Sequence, residues 1–127
     1  MTEGGEPPAL AATIDAYCAC WTVMETAARH AALARCVAPD IHYADPMVAL
    51  AGIPALSEHI AQVTAARPEA VIARCTEVDA HHTHARFGWN LRYGKETLLA
   101  GSIDVVEWEP RTGLLTRITG FFGPLEA

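Results

Sequence analysis

Before residue 67 the apolar side chains of this chain recur every three to four positions; after residue 70 they recur at every second one. A period near 3.6 belongs to helices packed on one face and a period of 2 to half-buried strands, so the switch separates a helical half from a sheet half. The stretch from Thr83 to Tyr93 carries the clearest alternation. Thr83, Ala85, Phe87, Trp89, Leu91 and Tyr93 share one side, and His84, Arg86, Gly88, Asn90 and Arg92 the other. Such a strand is antiparallel, with one packed and one wet face. Gly94-Lys95 turns it into a strand over 97–109, and Pro110 to Gly113 turns that into a strand over 114–122. A further strand over 70–78 joins through a turn near Asp79-Ala80.

In the first half, Leu10, Ile14, Tyr17, Trp21 and Met24 fall on one stripe of a helix expected over 8–25. A second helix is expected over 28–37, ending before Pro39 because the residue preceding proline resists the helical conformation. Asp40 to Met47 reads as an edge strand stopped by Pro46. Gly52-Ile53-Pro54 opens a third helix with Leu56, Ile60 and Val63 inward, closed by Arg67-Pro68. Residues 1–8 read as a disordered lead and 9–127 as a single domain. Helices first and a strand meander afterwards make the fold class α+β, with three N-terminal helices on one face of a curved, mainly antiparallel sheet.

Composition narrows the partners. Fifteen acidic residues against nine Lys and Arg give a net charge of −6, which argues against a nucleic-acid backbone as ligand. No apolar run approaches the roughly 18 residues that suggest a membrane span, and the start, MTEGGEPP, carries no export pattern, so no membrane partner and a cytoplasmic location are expected. Cys18, Cys20, Cys36 and Cys75 form no C-x-x-C and read as reduced, mostly buried thiols. With 51% hydrophobic and only 19% charged residues, the chain has apolar surface to spare for a ligand pocket, a subunit interface or both.

Two carboxylates stand out against this apolar background. On the strand over 97–109, Asp104 shares a face with Leu98, Ala100, Ser102, Val106 and Trp108. A carboxylate on a packed face must be paired, hydrogen-bonded or protonated, so Asp104 is either a structural acceptor or a pocket acid. Asp45 precedes Pro46 at the end of a strand, where it either shapes an Asp-Pro turn or serves a site. His82 and His84 lie two apart, a spacing able to chelate zinc, but no third ligand is fixed and no metal is assigned. His59, next to the inward Ile60, is read as covering the edge of the core.

Tyr43-Ala-Asp45-Pro46, Ser102-Ile-Asp104-Val105 and Ile118-Thr-Gly-Phe-Phe122-Gly123, in this order of elements, resemble the nuclear transport factor 2-like (NTF2-like) superfamily over 9–123. This group of cone-shaped α+β domains includes SnoaL-like polyketide cyclases and ketosteroid isomerases. Within the isomerase pattern, the resemblance implies Asp45 as the general base and Asp104 as a protonated acid in the oxyanion hole. Trp21 falls where those enzymes carry a tyrosine, with Tyr17 one turn away. The resemblance implies a hydrophobic small-molecule pocket lined by Tyr17, Trp21, Phe87, Trp89, Ile118 and Phe122, and cofactor-free isomerisation or cyclisation of a carbonyl ligand. The alternative is a non-catalytic ligand-binding or dimerisation module of the same fold. Ile103, Val105, Thr119 and Phe121, on the opposite strand parity, mark the outer sheet face as the expected homodimer surface.

Overall fold

The computed structural model describes residues 9–126. The disordered lead expected over 1–8 lies outside the described residues. The element order is α1 (Leu10–Ala19), a 3-10 turn (Cys20–Thr22), α2 (Thr26–Ala34), β1 (Val37–Asp45), β2 (Val48–Ala51), α3 (Ile53–Ala66), β3 (Val71–Arg74), β4 (Asp79–His81), β5 (His84–Tyr93), β6 (Glu96–Trp108) and β7 (Leu115–Phe121). Three α-helices accompany a mixed, open seven-stranded sheet ordered β2-β1-β7-β6-β5-β3, with β4 also paired to β5. All pairings are antiparallel except that of β1 with β7, which is parallel. No helix among the described residues is long and apolar enough to cross a membrane.

The helical stripe holds from Leu10 through Ile14 and Tyr17 to Trp21, all buried, but Met24 is 61% exposed. The first helix is therefore shorter than expected. It tightens into the 3-10 turn, Val23 becomes extended, and Glu25 starts α2 by accepting the N–H groups of Ala27 (3.1 Å) and Ala28 (2.8 Å). At the other end, α2 stops at Ala34, and Pro39 lies inside β1 rather than after a helix. The strand accommodates it by a bulge: Val37 pairs with Leu115 and His42 with Arg117, so the proline falls where the ladder is interrupted. Nor is β1 an edge strand. It lies between β2 and β7.

In the sheet half, the strand expected over 70–78 is shortened to β3, and Asp79-Ala80, expected as a turn, belongs to a separate strand, β4. His82 lies in the turn between β4 and β5 with a positive φ of 53°, so it does not share a strand face with His84. Among the described residues no group of three or more His, Cys, Asp and Glu could hold a metal ion.

Alternation along β5 is kept at Ala85, Phe87 and Trp89, all buried, and lost at Tyr93, which is exposed. On β6, Ser102, Asp104, Val106 and Trp108 are buried as expected, whereas Leu98 is exposed and Leu99 packs on the core. The inversion has a local cause. From Trp89 to Leu91 β5 advances two positions while β6, from Ser102 to Leu99, advances three, and Gly101 within that bulge has φ +74°. On the other face, Ile103 pairs with Phe121 and both are exposed.

Arg29 holds the helices together. It is 2% exposed; its Nε donates to Ser57 Oγ on α3 at 2.7 Å, and its Nη1 to the carbonyls of Val23 (2.8 Å) and Met24 (3.2 Å). A guanidinium carries its charge at any ordinary pH, so these oxygens replace water around a buried cation. Arg29→Ala, which orphans two carbonyls and opens a cavity, is expected to cost about 3 kcal/mol or more in urea unfolding. Ser57→Ala, which removes one acceptor, is expected to cost about 1–3 kcal/mol. Near-zero losses in both would refute this role.

Candidate functional site

A cavity of about 270 Å³ opens between the helices and the sheet, bounded by Tyr17 and Trp21 before α2, Tyr43 and Asp45 of β1, His59, Val63 and Ala66 of α3, Ile72 of β3, Trp89 and Leu91 of β5, and Leu99 and Asp104 of β6. Met47, Arg67 and Phe122 complete the lining. At about 30 Å³ per water, the space equals roughly nine water molecules, enough for a ligand of one or two rings.

Its polar end is built by strand register. Asp104 of β6 pairs with Gly120 of β7, and Ala44 of β1 with Thr119, so Asp45, Gly120 and Asp104 form a row across three adjacent strands. Two inter-strand steps separate the aspartates by roughly 10 Å between Cα atoms. The middle position needs a glycine: a Cβ there would stand 2.8 Å from Asp104 Oδ1 and 3.7 Å from the Cβ of Asp45. The Asp104 carboxyl thus leans into the space that a side chain would fill, with the Cβ of Asp45 in ordinary contact on the other side.

The two carboxyls are held differently. Asp45 Oδ1 accepts the backbone N–H of Met47 (2.8 Å) and Val48 (3.2 Å), closing the Pro46-Met47 turn into β2. Its Oδ2 accepts the Tyr43 hydroxyl at 2.6 Å and lies 3.3 Å from His59 Nε2. Asp45 therefore shapes the turn and faces the cavity at once. Asp104 has one partner, the Trp89 indole, whose Nε1–H donates to Oδ1 at 2.9 Å; Oδ2 has no hydrogen bond among the described residues. Burial pushes the Asp104 carboxyl up to about 7, helped by the nearby Asp45 charge and opposed by the indole bond.

Aromatic rings fix this end. Trp21 meets His59 edge-on with centroids 5.8 Å apart and Tyr17 edge-on at 6.5 Å, and Tyr43 packs against both Trp21 and His59. Burial raises both phenols, Tyr17 and Tyr43, well above their ordinary values, so they remain hydroxyl donors. At the other side Gly123 N–H donates to Ser102 Oγ at 3.0 Å, drawing the chain after β7 over the sheet, and Phe122 meets Trp89 edge-on at 6.0 Å.

Of the residues singled out in the sequence, Tyr17, Trp21, Asp45, Trp89, Asp104 and Phe122 lie together on this cavity. Phe87 and Ile118 do not; they are buried in the core behind its wall, at 2% and 0% exposure. Sequence reasoning missed Tyr43, the cavity role of His59, and Arg67. Tyr43 had a signal, since residues i and i+2 share a strand face and Asp45 was already singled out. His59 had one too: it precedes Val63 by four positions on α3, and both line the cavity.

No protein-family model and no curated protein matches the chain. Solved structures do. A candidate isomerase of the SnoaL-like family from Agrobacterium tumefaciens str. C58 is similar with a TM-score of 0.80 at 20% identity, over 88% of this chain and 95% of that one. A candidate ketosteroid isomerase from Kribbella flavida DSM 17836 has a TM-score of 0.60 at 20% identity, over 93% and 80% of the two chains. An NTF2-like protein of unknown function from Cytophaga hutchinsonii ATCC 33406 has a TM-score of 0.59 at 12% identity, covering 88% and 90%. The α+β fold of this chain is that of the NTF2-like structures, with SnoaL-like and ketosteroid isomerase-like proteins among its neighbours.

Proposed function

We propose that this protein catalyses cofactor-free proton transfer on a small hydrophobic carbonyl compound, as an isomerase or an aldol-type cyclase. The observation that carries the reading is the pair of unequally bonded carboxyls, Asp45 and Asp104, at one end of an apolar cavity. The likeness to candidate isomerases supports it at the level of the fold.

In this mechanism Asp104, in its acid form, donates to the carbonyl oxygen of the ligand, with the Tyr17 hydroxyl as a second donor. Asp45 and His59 together accept a proton from the carbon next to that carbonyl. Charge then develops on oxygen, where donors in a water-poor site stabilise it most. Returning the proton to another carbon of the enolate gives an isomer; attack of the enolate carbon on a second carbonyl of the same ligand closes a ring.

Asp104 links function to pH. Its carboxyl titrates near 3.8 when unfolded and about 7 when folded, so its contribution to stability is fully present below about 3.8 and is lost as pH rises through 7. Relative to Asp104→Asn, the wild type should lose roughly 4 kcal/mol between pH 3.5 and 8, at about 1.4 kcal/mol per unit. The measurement is urea unfolding across that range, and a pH-independent difference would contradict it. In assays with dienone and polyketide-like carbonyl compounds, kcat/KM should fall above about pH 7 in the wild type, because the donating proton is lost. Asp104→Ala and Asp45→Asn are each expected to lower the rate by about 100-fold or more. Background rates in all three proteins would leave a binding module without turnover.

Gly120→Ala tests the spacing. A methyl group 2.8 Å from Asp104 Oδ1 must displace that carboxyl. The variant is expected to lose about 1–3 kcal/mol and, while still folded by circular dichroism, at least tenfold in kcat/KM. An unchanged rate would show that the two carboxyls do not act as a unit.

A further inference from the structure

The proton-transfer reading accounts for one end of the cavity and leaves a charged group at the other. Arg67 lines the cavity at the end of α3, and it is the only Lys or Arg in that lining. Its backbone N–H closes the helix by donating to Val63 O at 3.1 Å, while its side chain is exposed. Among the described residues the guanidinium has no hydrogen bond and no carboxylate within 4.0 Å, although Arg74 and Arg86 are both paired with aspartates. A free cation at the rim of a cavity in a chain of net charge −6 is a feature that the chemistry at Asp45 and Asp104 does not use.

The helix supplies a ruler. His59, Val63 and Arg67 are spaced by four residues and all line the cavity. At 1.5 Å of rise per residue, Arg67 lies roughly 12 Å along α3 from the polar end. Between them the wall is apolar: Val63, Ala66, Ile72, Leu91 and Leu99. An anion resting beside the Asp45 carboxylate meets repulsion, but at Arg67 it does not, and the planar guanidinium matches a carboxylate with two parallel hydrogen bonds. Resting on the reading above, we propose that the ligand is a hydrophobic keto acid, its carbonyl at Asp104 and its carboxylate at Arg67, one to two rings away. The cation then sets orientation as well as affinity, because the reversed pose would place a carboxylate against the Asp45 carboxylate.

The test uses 6-acetyl-2-naphthoic acid and its methyl ester, which differ in charge at one end of the same two-ring ketone, and reads binding by titration calorimetry. The acid should bind the wild type roughly five- to tenfold more tightly than the ester. That preference should vanish in Arg67→Gln, persist in part in Arg67→Lys, and shrink as salt rises from about 0.05 to 0.5 M. Affinity for the ester, which lacks the ion pair, should change much less than affinity for the acid across the three proteins. Equal binding of acid and ester by the wild type, or a preference for the acid that survives Arg67→Gln, would overturn the proposal and leave the carbonyl site standing. Binding of neither compound at millimolar concentration would instead remove the cavity reading on which the proposal rests.

Discussion

The site depends on a register: β7 runs between β1 and β6, parallel to the first and antiparallel to the second. That placement sets Asp45 and Asp104 on either side of one residue. Because the residue is Gly120, the Asp104 carboxyl meets space where a Cβ would have been. Had β7 slipped by one position, Thr119 or Phe121 would stand between them, and the side-chain period of 2 would turn the row away from the helices. The parallel contact of β1 with β7 joins segments more than seventy residues apart, so the polar end of the cavity exists only once the long-range topology is complete.

This topology explains what the sequence could and could not disclose. Local periodicity revealed the inner faces of β5 and β6 near Phe87, Trp89, Asp104 and Val106, where each strand is regular and one face is buried. It misassigned Leu98 and Leu99, because the bulge at Gly101 adds a residue and reverses parity; Tyr93 is exposed near the hairpin end. It overextended α1 to Met24 because a stripe of apolar residues does not register a chain leaving the helix, and the capping residue that restarts α2 is a glutamate, outside the usual Ser, Thr, Asp and Asn set. It placed Pro39 after a helix because the bulge in β1 that tolerates a proline is a property of the pairing with β7.

The candidate site was legible in the same uneven way. Asp104 stood out as a charge on an apolar face, a conflict that burial resolves by holding its carboxyl up near 7. Asp45 was visible only as half of an Asp-Pro turn and through the resemblance; in the structure it makes two bonds to the turn and two contacts toward the cavity. Phe87 and Ile118 were expected on the cavity from the resemblance and from strand parity. Parity tells which face of a sheet a residue occupies, but not how far along the strand the cavity extends, and these two lie where packing is complete.

His59 and Arg67 lie at two positions along the cavity wall. His59 projects from α3 and Arg67 caps its C-terminal end, and α3 packs on the sheet through Leu56 and Ile60, so the helix sets the backbone spacing between the two. Arg29 in turn fixes α3 by its bond to Ser57, one turn before Ile60 and buried with it. A side chain outside the cavity lining thus holds the helix that carries His59 and Val63 on its wall. Loosening that contact would alter the angle at which His59 meets Asp45 and the position of Arg67 together, which ties stability of the helical layer to both ends of the site.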